Sequence, residues 1–319
     1  MTVVERWERF WFEDVPSEVF ALVRIAIGAA GLLSLIGFMP IDVFWSVDGI
    51  APLPGSGFGL RSYLLESGFS TAAGWVIFIT LAASFTCMTV GLFTGTAVVA
   101  CFFGSVLQAR WNALPLTSGH TILVAVLFCL VWADCGGHFS VDALRRMRRT
   151  GDTASKLQPI WPLRLIRAQV AILYAASGFF KLLGAGWRDG SAVHYTTSQN
   201  VYGRIFHVFT VPASLDWTFT LLTYLTLLWE IAFPFLLWNR TTRAAALLTG
   251  IGMHLGIWAT MEVGPFSWVM LASYVAFLDP HELPVVLRHW VRGKAAPLVS
   301  SGSDVPTPGS RTQPVGASD

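Results

Sequence analysis

Eight apolar stretches run through this 319-residue chain, at roughly 19–38, 72–92, 94–111, 115–134, 163–183, 217–238, 243–261 and 265–280. Each approaches the roughly 20 apolar residues that carry a helix across a bilayer core. In lipid every backbone N–H and C=O must be satisfied internally, which leaves helices or closed barrels as the spanning structures. Runs of this length fit helices, so the expected fold is all-α: a polytopic membrane helix bundle of about eight transmembrane spans. The third, fourth and eighth stretches are short or interrupted by Gly, Pro and polar residues. Only 13% of the residues are charged, against about 25% in a soluble domain, which excludes an ordinary soluble fold.

Orientation follows from the distribution of Lys and Arg. With eight spans both termini share one face, and that face receives fourteen basic residues, including Arg6, Arg9, Arg145, Arg146, Arg148 and Arg149, against four on the other. Both ends are therefore expected in the cytoplasm of a multi-pass cell-membrane protein. Residues 1–18, "MTVVERWERFWFEDVPSE", read as an amphipathic cytoplasmic N-terminus without the small-residue cleavage site of a signal peptide, so the first span is expected to be retained. The membrane domain is expected over 19–294, followed by a Pro/Gly/Ser-rich tail at 295–319 that reads as disordered. The basic stretch "DALRRMRRTGDTASK" reads as a short helix on the anionic inner leaflet. Net charge of +2, and no aromatic residues among these charges, exclude nucleic acid as a partner. The four cysteines show no metal-ligand spacing; they read as core thiols, and no metal is expected.

Ionisable side chains at membrane depth are expensive and mark candidate sites. Counting along the spans places Arg24, Arg167 and Glu230 toward the cytoplasmic side, where Glu230 is expected to neutralise one of the two arginines. Lys181, His120, His254 and Glu262 fall toward the outer side of three spans, with Gln108 and Asn112 of a fourth, and Ser177, at similar depth. Their joint occurrence predicts a polar pocket open to the outer face. Each has a plainer alternative: Lys181 snorkelling to water, each histidine making an interhelical hydrogen bond, Glu262 solvated. His138 reads as interfacial packing, while His194 and His207 lie in the long outer loop 184–216.

Four stretches give the chain a family resemblance: "LVRIAIGAAGLL", "WADCGGHFSVDAL", "YAASGFFKLLGAGWRDGS" and "MHLGIWATMEVGPFSWVMLASYVAFL". In their order and spacing the chain resembles HTTM-domain proteins, whose membrane domain is shared with vitamin K-dependent gamma-glutamyl carboxylase. By that match Lys181 takes the place of the base that activates reduced vitamin K, although the carboxylase has two adjacent lysines where this chain has Phe180-Lys181. His254 matches a histidine upstream of the "FSxVMLAS" signature. His120 falls near a functional Asn-His pair only after a one-residue shift. The resemblance thus implies Lys181, His254 and His120 as catalytic residues. It implies Ser177, Phe180, Trp187, Glu262 and Phe266 around the cofactor, which would be reduced vitamin K or another membrane quinol. Two departures stand out. The large lumenal domain that binds the carboxylase's substrate has no counterpart here, and Ser34 stands where the family commonly has an acidic residue.

Deprotonating a hydroquinone needs a neutral amine, and an unperturbed lysine holds its proton to about pH 10.4. Apolar surroundings disfavour an ammonium ion, and the run before Lys181 supplies such surroundings. A lipophilic quinol would enter sideways from the bilayer. In the family's chemistry, oxygen turns the quinol into an epoxide through a strongly basic alkoxide; this removes a glutamate γ-proton, and the carbanion takes up carbon dioxide. Three readings remain open: a quinol-dependent carboxylase-like or monooxygenase-like enzyme, a non-catalytic membrane component that helps mature or export a small secreted peptide, and a transporter. The absence of inverted repeats disfavours the last.

Overall fold

All eight apolar stretches contain helices that begin and end close to the expected positions. The computed structural model describes residues 2–39, 41–44, 71–111, 116–151, 156–205 and 212–283. The chain forms two units, residues 1–284 and 285–319; the second, with the tail expected to be disordered, lies outside the described residues. In the first, the eight helices are α2 (Glu18–Ile36), α3 (Thr71–Val90), α4 (Thr94–Trp111), α5 (Ser118–Val131), α7 (Trp161–Leu183), α10 (Asp216–Leu236), α11 (Arg240–Thr260) and α12 (Phe266–Tyr274). Among the described residues, α2, α7 and α10 are the three helices long and apolar enough to cross a membrane. Shorter apolar helices lie at Gly74–Val90, Ser118–Val131 and Phe266–Phe277. The physical reason is visible in the sequence: α11 opens with Arg240, Thr241, Thr242 and Arg243, and α4 carries Ser105, Gln108 and Arg110.

α5 sits in the middle, packed on α2, α4, α7 and α12. Ile27, Phe85, Val126, Leu127, Ile166, Val269 and Met270 are buried to 2% exposure or less in the shared core. Small residues let helices approach closely where lipid offers no hydrophobic drive to bring them together. A Cβ on Gly178 of α7 would stand 3.0 Å from the Ile231 side chain and 3.3 Å from its backbone nitrogen on α10. That close approach sets the geometry of the site described below.

One end of the bundle carries a collar. α1 (Val3–Phe12) starts with a capping box between Thr2 and Glu5, and leaves Val3, Val4, Trp7 and Phe12 exposed. β1 (Asp14–Pro16) pairs antiparallel with β2 (Leu157–Pro159), Val15 opposite Gln158. α6 (Val141–Thr150) is the short basic helix foreseen from "DALRRMRRT". Ser140 caps its N-terminus and Gly151, in the left-handed conformation, ends it. Four cysteines, Cys87, Cys101, Cys129 and Cys135, are free. At the other end α8 (Ala185–Arg188) and α9 (Ala192–Ser198) fold over α10.

Candidate functional site

On α7 the residues Tyr174, Ser177 and Lys181 fall at i, i+3 and i+7, a spacing that aligns them on one helical face. Glu230 of α10 meets that face. Its carboxylate accepts a short hydrogen bond from Lys181 Nζ at one oxygen and a 3.0 Å bond from Ser177 Oγ at the other. Glu230 is 5% exposed, and the Lys181 side chain is 23% exposed. The Trp187 ring of α8 lies 4.6 Å from Lys181 Nζ, a cation–π contact. A Cβ at Gly184 would press on the Trp187 indole at 3.1 Å, so the glycine leaves room for that ring.

One turn deeper, the Tyr174 hydroxyl is 2.6 Å from His254 Nε2 on α11 and 2.6 Å from the Tyr274 hydroxyl at the end of α12. Trp229 and Phe233 of α10 pack on the Tyr174 ring, with centroids 4.9 and 4.2 Å away. The Phe266 ring is 5.5 Å from His254. Lys181 acts electrostatically on His254, and Glu230 on both tyrosines. Two buried polar atoms here have no partner among the described residues, His254 Nδ1 and Trp229 Nε1.

The expected site residues therefore separate. Lys181, Ser177, Trp187, His254 and Phe266 converge. Phe180 points the other way, 69% exposed on the outer side of α7, because it is one residue from Lys181 and so about 100° around the helix. Glu262 is on the surface, its side chain 61% exposed and paired with Arg204 at 2.7 Å. His120 is buried between α5 and α4, where Nε2 donates to the Ser105 carbonyl at 3.0 Å. Its neighbour Gly119 lies against Phe266, where a Cβ would stand 2.7 Å from Phe266 Cα. Gln108 is likewise buried, its Nε2 without a partner. His194 stacks edge-on against Phe219, while Asn112 and His207 lie outside the described residues.

The expected pairing of Glu230 with an arginine is corrected. Arg24 donates to the Phe139 carbonyl at 2.5 Å, and Arg167 to the carbonyls of Ala276 and Leu278 at 2.7 and 2.9 Å. Depth counted from helix ends misplaced Glu230, because α10 extends well past the end of α7. Its first turns are covered by α8 and α9, with Val193 N donating to Thr223 Oγ1 and the Tyr224 hydroxyl donating to the Arg188 carbonyl. The second half of α10 is therefore level with the last turns of α7. Tyr174, Tyr274 and Trp229 escaped the sequence reading. The available signal was Tyr174 sharing a face with Lys181.

Among the described residues no group of three His, Cys, Asp or Glu converges as a metal site. The arrangement instead suits proton handling. A buried carboxylate–ammonium pair and a tyrosine–histidine chain share one helical face, walled by Trp187, Trp229, Phe233 and Phe266. Residues 69–281 match the family model described as the HTTM domain, which covers more than half of the chain and all of the converging residues. The stretch "LVRIAIGAAGLL" in α2 lies before the matched region. No solved structure matches the chain.

Proposed function

This chain belongs to the HTTM-domain family, and on that footing we propose that it handles protons for a membrane quinol at the Lys181–Glu230 pair. It would cross the membrane eight times with both termini cytoplasmic, so that the α8 and α9 end faces outward. The observation that carries the reading is that one face of α7 brings together two pairs, Lys181 with Glu230 of α10 and Tyr174 with His254 of α11. In this site the amine does not stand alone. As an ion pair, Lys181 is an ammonium and cannot accept a proton. Shifting one proton to Glu230 gives a neutral amine beside a neutral acid, which avoids burying two charges in a medium that penalises both. The neutral amine can then take the proton of a quinol hydroxyl, and Ser177 holds the acid in place.

Two readings of the product remain proposals: a carboxylase-like or a monooxygenase-like outcome on a further substrate. A non-catalytic role in the maturation or export of a small secreted peptide is favoured by one feature, the completeness of the Lys181–Glu230–Ser177 network, which by itself would satisfy a purely structural ion pair. Mass spectrometry of lipids that co-purify with the full chain separates the two. The quinol reading expects a bound quinone in wild type that is lost in Lys181→Ala. A well-folded wild-type protein that carries only phospholipid would overturn it.

A further inference from the structure

The Tyr174 hydroxyl has one proton and two neighbours at 2.6 Å, His254 Nε2 and the Tyr274 oxygen. It donates to one and accepts from the other, so the chain has two neutral arrangements. In the first, Tyr274 donates to Tyr174, Tyr174 donates to His254 Nε2, and the neutral imidazole carries its hydrogen on Nδ1. In the second, His254 Nε2–H donates to Tyr174, Tyr174 donates to Tyr274, and Nδ1 is a bare acceptor. Moving between them changes no net charge, which matters where a net charge would be costly. His254 is 1% exposed, and its Nδ1 has no partner among the described residues. Trp229 Nε1, on the ring that packs against Tyr174, is a second buried donor without a partner among them. Buried polar groups are nearly always bonded, so these two orphans leave bonding capacity beside the tyrosine chain.

We propose that His254 Nδ1 is the contact point for an oxygen of a lipophilic aromatic ligand, and that the tyrosine chain decides whether it meets that oxygen as donor or acceptor. The inference rests on the quinol reading above and adds to it that one site accepts both redox forms of the ring. A carbonyl oxygen selects the arrangement with Nδ1–H, and a hydroxyl selects the arrangement with the free lone pair. Phe266 gives the ring an aromatic wall. The charged groups facing the chain are Lys181 of α7 and Glu230 of α10, which hold each other.

The test is nitrogen-15 NMR of histidine-labelled full-length protein in lipid nanodiscs, with His254→Gln identifying the resonance. The probes are 2,3-dimethyl-1,4-naphthoquinone and its hydroquinone, and tryptophan fluorescence quenching measures their binding separately. The expected result is the Nδ1–H tautomer with the quinone and the Nε2–H tautomer with the hydroquinone. Tyr174→Phe should abolish the switch, leaving one tautomer with both probes. Tyr274→Phe removes the acceptor that the second arrangement needs, so it should weaken hydroquinone binding and spare the quinone. Binding of both probes with an unchanging His254 tautomer would overturn the inference and leave the quinol reading standing. Tyrosine variants that switch like wild type would do the same. Failure of either probe to bind wild type overturns both.

Discussion

Two polar clusters sit at opposite ends of α7, and they differ in what their side chains bond to. At the collar end the loop 134–142 is tied largely through backbone groups, with side-chain pairs at its edge: Lys156 with Asp134 at 3.0 Å, and His138 with Ser17 and Glu18 at 3.0 and 3.6 Å. Asp142 accepts from the amides of Phe93 and Thr94 at 3.1 and 2.7 Å and from the Thr94 hydroxyl at 2.8 Å. Arg24 and Arg146 donate to the carbonyls of Phe139 and Gly137, and Ser140 donates to the Gly136 carbonyl. Phe93 and Phe139 are both held at φ 47, a left-handed conformation that a bulky residue adopts only when its surroundings impose it. At the Lys181 end the bonds run between side chains that can each gain or lose a proton: Lys181, Glu230, Tyr174, His254 and Tyr274. Backbone partners fix a shape, whereas side-chain partners of this kind leave protons free to move. The first cluster is a clamp and the second a candidate site, although both lie in stretches that carry the family resemblance.

The largest effect expected is an all-or-none labelling result that places the two clusters on opposite faces of the membrane. A cysteine at Glu262→Cys should react with an impermeant maleimide added outside intact cells. One at Arg149→Cys, on α6, should react only after permeabilisation. Losing the Arg204 partner costs little at an exposed position, so the first variant should fold. External labelling at position 149 would reverse the map and put the Lys181 cluster on the cytoplasmic side.

Next in size is the chemistry of Lys181. Arginine retains the charge and the reach to Glu230 but stays protonated. Lys181→Arg should therefore fold normally while quinol consumption in membranes falls about 10²–10⁴-fold, the usual contribution of a general base. Full activity in this variant would make the ion pair structural and erase the contrast with the clamp.

The bundle was legible because helix length and hydropathy are local properties: the eight helices lie where the apolar runs lie. The collar was legible for a similar reason, since "DALRRMRRT" carries its own cap and amphipathic face. Of the residues that converge, Lys181, His254, Ser177, Trp187 and Phe266 stand out in the sequence, Lys181 and His254 as polar groups in apolar runs and Trp187 and Phe266 through the family resemblance. Glu230 was given the wrong partner, because depth was counted from helix ends and nothing in the sequence reveals the offset between α7 and α10. Phe180 and Glu262 show the limit of carrying roles over by position: one faces away from the cluster and the other faces water. The tyrosines were missed because a tyrosine in an apolar run looks like ordinary packing until its hydroxyl is seen between two partners.

A smaller loss is expected from removing the carboxylate at the site. Glu230→Ala leaves Lys181 without its counter-ion, and breaking a buried pair costs roughly 3–5 kcal/mol. Lys181 is partly exposed beside Trp187, so the lower end of that range, about 3 kcal/mol, is expected. Thermal melts and expression level measure it. Glu230→Gln keeps the shape and a hydrogen-bond acceptor, and should cost less. Equal stability of Glu230→Ala and wild type would mean that the pair contributes nothing to folding.

The smallest effect belongs to the clamp and depends on pH. Burial alone would raise the pKa of Asp142, but the hydrogen bonds from Thr94 and Phe93, with the nearby Arg145 charge, outweigh it and hold the carboxyl below its ordinary value. A carboxyl depressed on folding stabilises the folded state at pH values above its unfolded value, about 3.9. That contribution is lost as the pH falls through the lower, folded value. Wild type should therefore lose thermal stability on acidification from pH 5 to pH 3 more steeply than Asp142→Asn, which cannot titrate. At pH 7 the order reverses in the other sense: Asp142→Asn should melt below wild type, because its amide offers one acceptor oxygen to donors that now share two. Parallel acid profiles for the two proteins would mean that the clamp is held by its packing and by Arg24, with the Asp142 charge contributing nothing.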